Sequence, residues 1–193
     1  MSKGLEPGLR IPDFHLPDEN GVVHSLSELQ GDDCMILMLG RGEHCPRERM
    51  HQRDMVKFHE YSDVAFTRLV TILPNQPHDV YKLRISSGAH WPFLVDEQLE
   101  VRRHFEIDEY TDAHHDNAVV PHTLILSPGL VIEKVYVGYW FWGRPSIYQL
   151  WDDLAGLLQR IKPDFDPTTP KARARHAAAH NGAKKRNRKR VAA

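Results

Sequence analysis

Leu39-Gly40-Arg41-Gly42-Glu43-His44-Cys45-Pro46-Arg47 joins an apolar run, Cys34 to Leu39, to a polar, helix-prone segment. A strand that ends in a short glycine turn and enters a helix through Cys-Pro places the thiol at the helix N-terminus. Unpaired backbone N–H groups and the positive end of the helix dipole favour a thiolate there. Proline suits the first helical position because it has no N–H to lose and its φ is already helical. Thiolate character sets cysteine reactivity, and cationic neighbours raise it. Arg41, Arg47 and Arg49 supply that charge. The alternative is a buried, idle cysteine, the ordinary state of a free thiol.

Upstream, Gly8 to Leu16 and the residues after Asp18-Glu19-Asn20-Gly21 read as two short strands around an Asn-Gly turn. Ser25-Leu26-Ser27-Glu28 has capping-box spacing and starts a brief helix that stops near Gly31. Downstream, Pro46 to about Tyr61 reads as a helix with Met50, Met55, Phe58 and Tyr61 on its inner face. Phe66–Leu73 reads as a strand closed by Pro74, Pro77–Ile85 as a helix, and Gln98–Phe105 as a short helix. Thr123–Leu126 and Val131–Val137 pair across Ser127-Pro128-Gly129. Ser146-Ile147-Tyr148-Gln149 is a second capping box, and Ile147, Leu150, Trp151, Leu154, Leu157, Leu158 and Ile161 recur at helical spacing until Pro163. Alternating strands and helices that end in a hairpin and a helix give an α/β sandwich with central strands covered on both faces.

A chain of 193 residues is long enough for one domain with a sizeable core. The opening residues have no apolar signal core, and no apolar run is long enough to span a bilayer. Two cysteines do not form a disulfide framework, so a reducing, cytoplasmic setting is expected. The net charge of −1 hides an asymmetry. From Pro167 onward there are nine Lys/Arg and no acid, leaving 16 of the 25 basic residues against all 26 acidic ones, a net of −10. The division expected is a domain over 1–163 and a disordered basic tail over 164–193. Such a tail is either simply solvated or makes weak nonspecific contact with nucleic acid.

Pro12-x-Phe14-x-Leu16, Asp18 to Gly21, Leu26-x-x-Leu29, Arg41-Gly42-x-x-Cys45-Pro46 and Pro92-Phe93-Leu94-x-Asp96 together resemble the peroxiredoxin-like redoxins, the alkyl hydroperoxide reductase/thiol-specific antioxidant family. Gly138 to Ser146 resembles a bacterial subgroup of redoxin-domain proteins. The resemblance covers roughly Gly8 to Ile161. It implies a thioredoxin-like sandwich, a central mixed sheet flanked by helices with an N-terminal β-hairpin. Three positions depart from the family pattern. Gly42 stands where a Thr or Ser usually precedes the reactive cysteine by three residues. Val120-Pro121-His122-Thr123 stands where an Arg is usual, and looks instead like the cis-proline loop of thioredoxins. Glu48 stands where related redoxins carry a second cysteine.

The resemblance implies a cysteine-dependent antioxidant oxidoreductase. It would reduce hydrogen peroxide or organic hydroperoxides, or exchange thiol for disulfide, through Cys45. Arg41 and Arg49 would hold the thiolate and polarise the leaving group, or else pair with carboxylates. Val120–Pro121 is expected to be a cis bond with Pro121 beside Cys45. Glu48 is expected to cap its helix, although as a carboxylate it opposes the thiolate. Cys34, inside an apolar strand, reads as core, so an external thiol reductant would resolve Cys45: a small thiol, a thioredoxin-type protein, or a second subunit. Trp140, Phe141 and Trp142 read as core, as a homodimer contact, or as an apolar wall for an alkyl hydroperoxide. His114, His115, Asp116, Asp112 and Glu109 could hold a divalent ion weakly or form a polar loop. No spacing matches a structural zinc site, and no cofactor is expected. The competing function class is a non-catalytic redox-sensing or interaction module on the same fold.

Overall fold

The computed structural model describes residues 2–62, 65–112, 115–138 and 143–164. The opening hairpin pairs β1 (His15–Pro17) with β2 (Val23–Ser25) antiparallel. Only its last residues are strand. The stretch before it makes an isolated bridge from Arg10 to Val131 and packs Leu5, Ile11 and Phe14 inward. Ser25 caps α1 (Leu26–Gln30) with both arms of the capping box in place, and Gly31 closes it.

The central sheet has the order β5-β4-β3-β8-β9. It contains β3 (Cys34–Leu39), β4 (Thr67–Leu73), β5 (Phe93–Val95), β8 (His122–Ser127) and β9 (Val131–Val137). β3, β4 and β5 run parallel, β8 pairs antiparallel with β3, and β9 pairs antiparallel with β8, so the sheet is mixed. α2 (Pro46–Ser62) connects β3 to β4, and α3 (Pro77–Ser87) connects β4 to β5. α4 (Glu100–His104) follows β5, and α5 (Ile147–Ile161), capped by Ser146 and Gln149, follows β9.

β3 shows why a continuous apolar run marks the centre of such a sheet. Its side chains alternate between two cores. Cys34, Ile36 and Met38 join Met55, Phe58, Val80, Leu83, Leu150 and Leu154 on the side of α2, α3 and α5. Met35, Leu37 and Leu39 join Phe14, Leu26, Val101 and Phe105 on the side of α1 and α4. Removing a large side chain from either core, as in Phe93→Ala, is expected to cost about 3–5 kcal/mol in a denaturant melt; Phe93 is fully buried.

Three expectations change. The polar stretch after α4 is a hairpin, β6 (Glu109–Asp112) with β7 (His115–Val119), because extended chains satisfy their backbone groups by pairing. Met50 is 52% exposed rather than on the inner face of α2. That face instead carries Met55 and Phe58 together with buried Glu48, His51 and Gln52. The Val120–Pro121 bond is trans. Val120 N–H donates to Asp108 O at 3.0 Å and Pro121 O accepts from Gly138 at 2.7 Å, so the chain enters β8 already extended and tied on both sides.

Trp140, Phe141, Trp142, His114 and residues 165–193 lie outside the described residues, as do the side chains of Tyr61, Asp112, His115 and Asp116. Among the described residues, no helix is long and apolar enough to cross a membrane.

Candidate active site

β3 stops at Leu39, and Gly40 continues the ladder by donating to Ile72 O at 2.9 Å. A Cβ at Gly40 would lie 2.5 Å from a Leu73 methyl and 3.0 Å from the Glu48 carboxyl, so only glycine lets α2 approach the strand end. Gly42 has φ +117°, and a Cβ there would lie 2.4 Å from Asn75 Oδ1. That oxygen accepts the Glu43 N–H at 3.2 Å. Cys45 closes the turn. Its N–H donates to Gly42 O at 3.3 Å, and its C=O accepts from Arg49 N–H at 3.2 Å. Cys45 is therefore the N-cap residue and Pro46 the first helical position. Its side chain is almost fully buried, 3% exposed.

Glu48 organises the ground beneath this turn. It is 1% exposed and does not reach back to the Cys45 N–H, which is already bonded to Gly42. Its carboxylate accepts the Arg41 backbone N–H at 3.1 Å, the Gln52 amide at 2.9 Å and Arg144 Nη2 at 3.4 Å. Burial by itself would raise its pKa. Arg144, His51, Gln52 and the Arg41 N–H together outweigh that and hold it below the usual carboxylate range. The polar chain continues inward: Thr71 Oγ1 donates to Gln52 Oε1 at 3.4 Å, and Trp91 Nε1 donates to Thr71 Oγ1 at 3.0 Å. Each buried polar group passes its bond to the next, which rigidifies the face of α2 under the thiol.

His51, one turn from Glu48, is also buried, and burial pushes its pKa down against the opposing pull of Glu48. The folded protein thus keeps His51 neutral where an unfolded chain, with an imidazole near ~6.5, takes up a proton. Below that pH the unfolded state binds more protons, so stability falls as pH falls. His122, lowered by burial as well, acts in the same direction. Thermal melts at pH 7.5 and 5.5 are expected to show a loss of Tm on acidification that is smaller in His51→Gln. An identical loss in both proteins would contradict this.

The predicted site residues have different surroundings. Arg41 is buried, 3% exposed, with its guanidinium carbon 5.0 Å from the centroid of the Tyr110 ring on β6. Arg49 is on the exposed face of α2, one residue beyond Glu48, and Arg47 Nη1 reaches Met50 Sδ at 3.9 Å. Pro121 is buried at the head of β8, next to His122, which pairs with Leu39 at the end of β3. It therefore lies at the same end of the sheet's strands as the Gly40–Cys45 turn. Cys34 is sealed in the core, and burial pushes its thiol up to about 12. Iodoacetamide at pH 8 is expected to leave Cys34 unmodified in the folded protein, and a second adduct on intact mass would contradict that placement.

Sequence reasoning missed Arg144, Gln52, Thr71 and Asn75. A signal for one of them, Gln52, was present. Glu48, His51, Gln52 and Met55 follow i, i+3, i+4, i+7 spacing, which puts polar groups on the buried stripe of α2 and requires partners for them. Nothing local marks Arg144, which arrives from a loop 96 residues further on.

A five-stranded mixed sheet with helices on both faces, and a cysteine capping the helix after its central strand, defines a thioredoxin-like redox fold. The AhpC/TSA family model matches residues 7–135, and the chain belongs to that family. Solved structures agree on the fold. The peroxidoxin BcpB from Mycobacterium tuberculosis is similar with a TM-score of 0.61 and 23% identity, over 79% of this chain and 96% of that one. AhpC from Enterococcus faecalis has a TM-score of 0.65 and 14% identity, over 81% and 95%. A protein described as a thiol:disulfide interchange protein, DsbE, from Chlorobium tepidum has a TM-score of 0.58 and 19% identity, over 81% and 96%. By sequence, no curated protein matches the chain. Family membership supports oxidoreductase activity.

Proposed function

We propose that the chain is a one-cysteine thiol peroxidase that reduces hydrogen peroxide or an organic hydroperoxide through Cys45. The observation that carries this reading is Cys45 at the N-cap of α2, on a turn whose backbone is pinned by Glu48. The thiolate attacks the terminal peroxide oxygen, forming an S–O bond as the O–O bond breaks. The leaving alkoxide or hydroxide takes a proton, and the sulfur is oxidised by two electrons to a sulfenic acid. Cys34 cannot resolve it from inside the core. An external thiol therefore condenses with the sulfenic acid and releases water, and a second thiol reduces the mixed disulfide.

The helix dipole stabilises the attacking sulfur, and Arg49 at the first turn of α2 adds positive charge on the exposed side. Glu48, paired with Arg144, acts as a positioning group because it holds the backbone of the turn through the Arg41 N–H. A homodimer and a thioredoxin-type or small-thiol reductant fit a one-cysteine cycle. Thiol-dependent peroxide turnover that disappears in Cys45→Ser and persists in Cys34→Ser is the expected result. Turnover that survives Cys45→Ser, or is absent from the wild type with every thiol donor, would overturn the reading.

A further inference from the structure

Arg41 is the side chain the thiol chemistry above leaves unexplained. Its backbone N–H is fixed on Glu48, and its guanidinium lies against the Tyr110 ring. Nε and Nη2 are both buried and have no hydrogen-bond partner. These two nitrogens share the edge of the guanidinium that grips a carboxylate through two parallel hydrogen bonds.

Four carboxylates of the surrounding elements are engaged elsewhere. Glu48 holds Arg144 and Gln52, Glu43 pairs with Lys82 at 3.1 Å, and Glu109 pairs with Arg102. Asp96 accepts the backbone N–H groups of Glu100 and Val101. Among the described residues, no carboxylate pairs with Arg41. Neither Nε nor Nη2 donates to Cys45 Sγ. A guanidinium does not give up its proton. A buried one without a counter-ion is costly, since desolvating an ion costs several kcal/mol that only a partner charge offsets. An arginine arranged in this way is prepared for an anion that comes from outside.

We propose that Arg41 recognises a carboxylate on the substrate that reacts at Cys45, so that the preferred substrates are small hydroperoxides or disulfides carrying a carboxylate near the reacting atom. This rests on reading Cys45 as the reacting thiol. Three residues, Gly42, Glu43 and His44, separate Arg41 from Cys45, so the two belong to one turn. The buried fork selects small molecules. The Tyr110 ring keeps the guanidinium in place as a cation–π partner.

Alkylation separates this role from thiolate stabilisation. Cys45 in a Cys34→Ser background is treated with iodoacetate, which carries a carboxylate, and with neutral iodoacetamide. The iodoacetate/iodoacetamide rate ratio is expected to exceed that of free cysteine by about tenfold, the worth of one charge-assisted pair. It is expected to fall to the free-cysteine value in Arg41→Gln and to be partly kept in Arg41→Lys. Propionate should protect the unmodified Arg41 protein from iodoacetamide in a saturable way, a readout that needs no folded Arg41 variant. Equal slowing of both reagents in Arg41→Gln would assign Arg41 to the thiolate instead. A free-cysteine ratio in the wild type, or no protection by propionate, would also overturn the proposal. Failure of the peroxidase reading shows separately, as no oxidation of Cys45 by hydrogen peroxide while the alkylation ratio can still be measured.

Discussion

Replacing Glu48 with leucine is expected to destabilise the protein by roughly 3–5 kcal/mol, the usual cost of stripping one partner from a buried ion pair. Arg144, whose side chain is 10% exposed, then loses the Glu48 carboxylate. The Arg41 N–H and the Gln52 amide lose their acceptor at the same time. For a domain of this size the corresponding fall in Tm is on the order of 10 °C. Glu48→Gln retains one carbonyl acceptor and should lose about half as much. Because the Arg41 N–H anchors the turn that carries Cys45, alkylation of Cys45 should slow in both variants. Urea denaturation with matched m-values is the direct measurement. A change below about 1 kcal/mol in Glu48→Leu would mean that the pair is no more than a surface contact in energetic terms.

Gly42→Thr, which restores the residue type common in the family, is expected to damage the protein rather than improve it. The backbone at φ +117° lies where side-chain-bearing residues cost about 1–3 kcal/mol. The new Cβ also displaces Asn75 from its bond to the Glu43 N–H, at about 1 kcal/mol more. The expected loss is roughly 2–4 kcal/mol, with a lower rate of reaction with peroxide. The double variant Gly42→Thr/Asn75→Ala recovers the space but not the backbone conformation, so it should regain only part of the loss. A single variant of wild-type stability and higher peroxide reactivity would show that the turn accepts the family's usual arrangement.

The sequence was most legible where local chemistry decides structure. Both capping boxes, the buried run of β3, the β8–β9 hairpin and the amphipathic α5 follow from spacing alone, and each is present. Cys45 at a strand–helix junction could be read for the same reason: glycine, cysteine and proline each have a positional meaning there. Asp96, part of the quoted resemblance, proves to cap the start of α4 through the N–H groups of Glu100 and Val101.

What could not be read depends on partners distant in the chain. Glu48 looked like a helix cap because capping is the local option, but Gly42 already satisfied the Cys45 N–H, and the carboxylate turned to Arg144. Met50 looked inward because it is apolar, yet Glu48, His51 and Gln52 occupy that face. The three arginines counted around the thiol were equal in sequence and are unequal in space. Arg49 is solvated, Arg47 lies along the helix, and Arg41 is buried toward Tyr110. The hairpin that carries Tyr110 has a polar sequence and is held by backbone pairing, so no hydrophobic period announced it.

The central claim is that Cys45 is the reacting thiol, and intact-mass analysis after rapid mixing with one equivalent of hydrogen peroxide tests it most directly. The account predicts a single oxygen added at Cys45, or a disulfide between two copies formed from it, at a rate well above that of a free thiol at the same pH and absent in Cys45→Ser. Oxidation no faster than that of free cysteine, or an adduct that persists in Cys45→Ser, would contradict it.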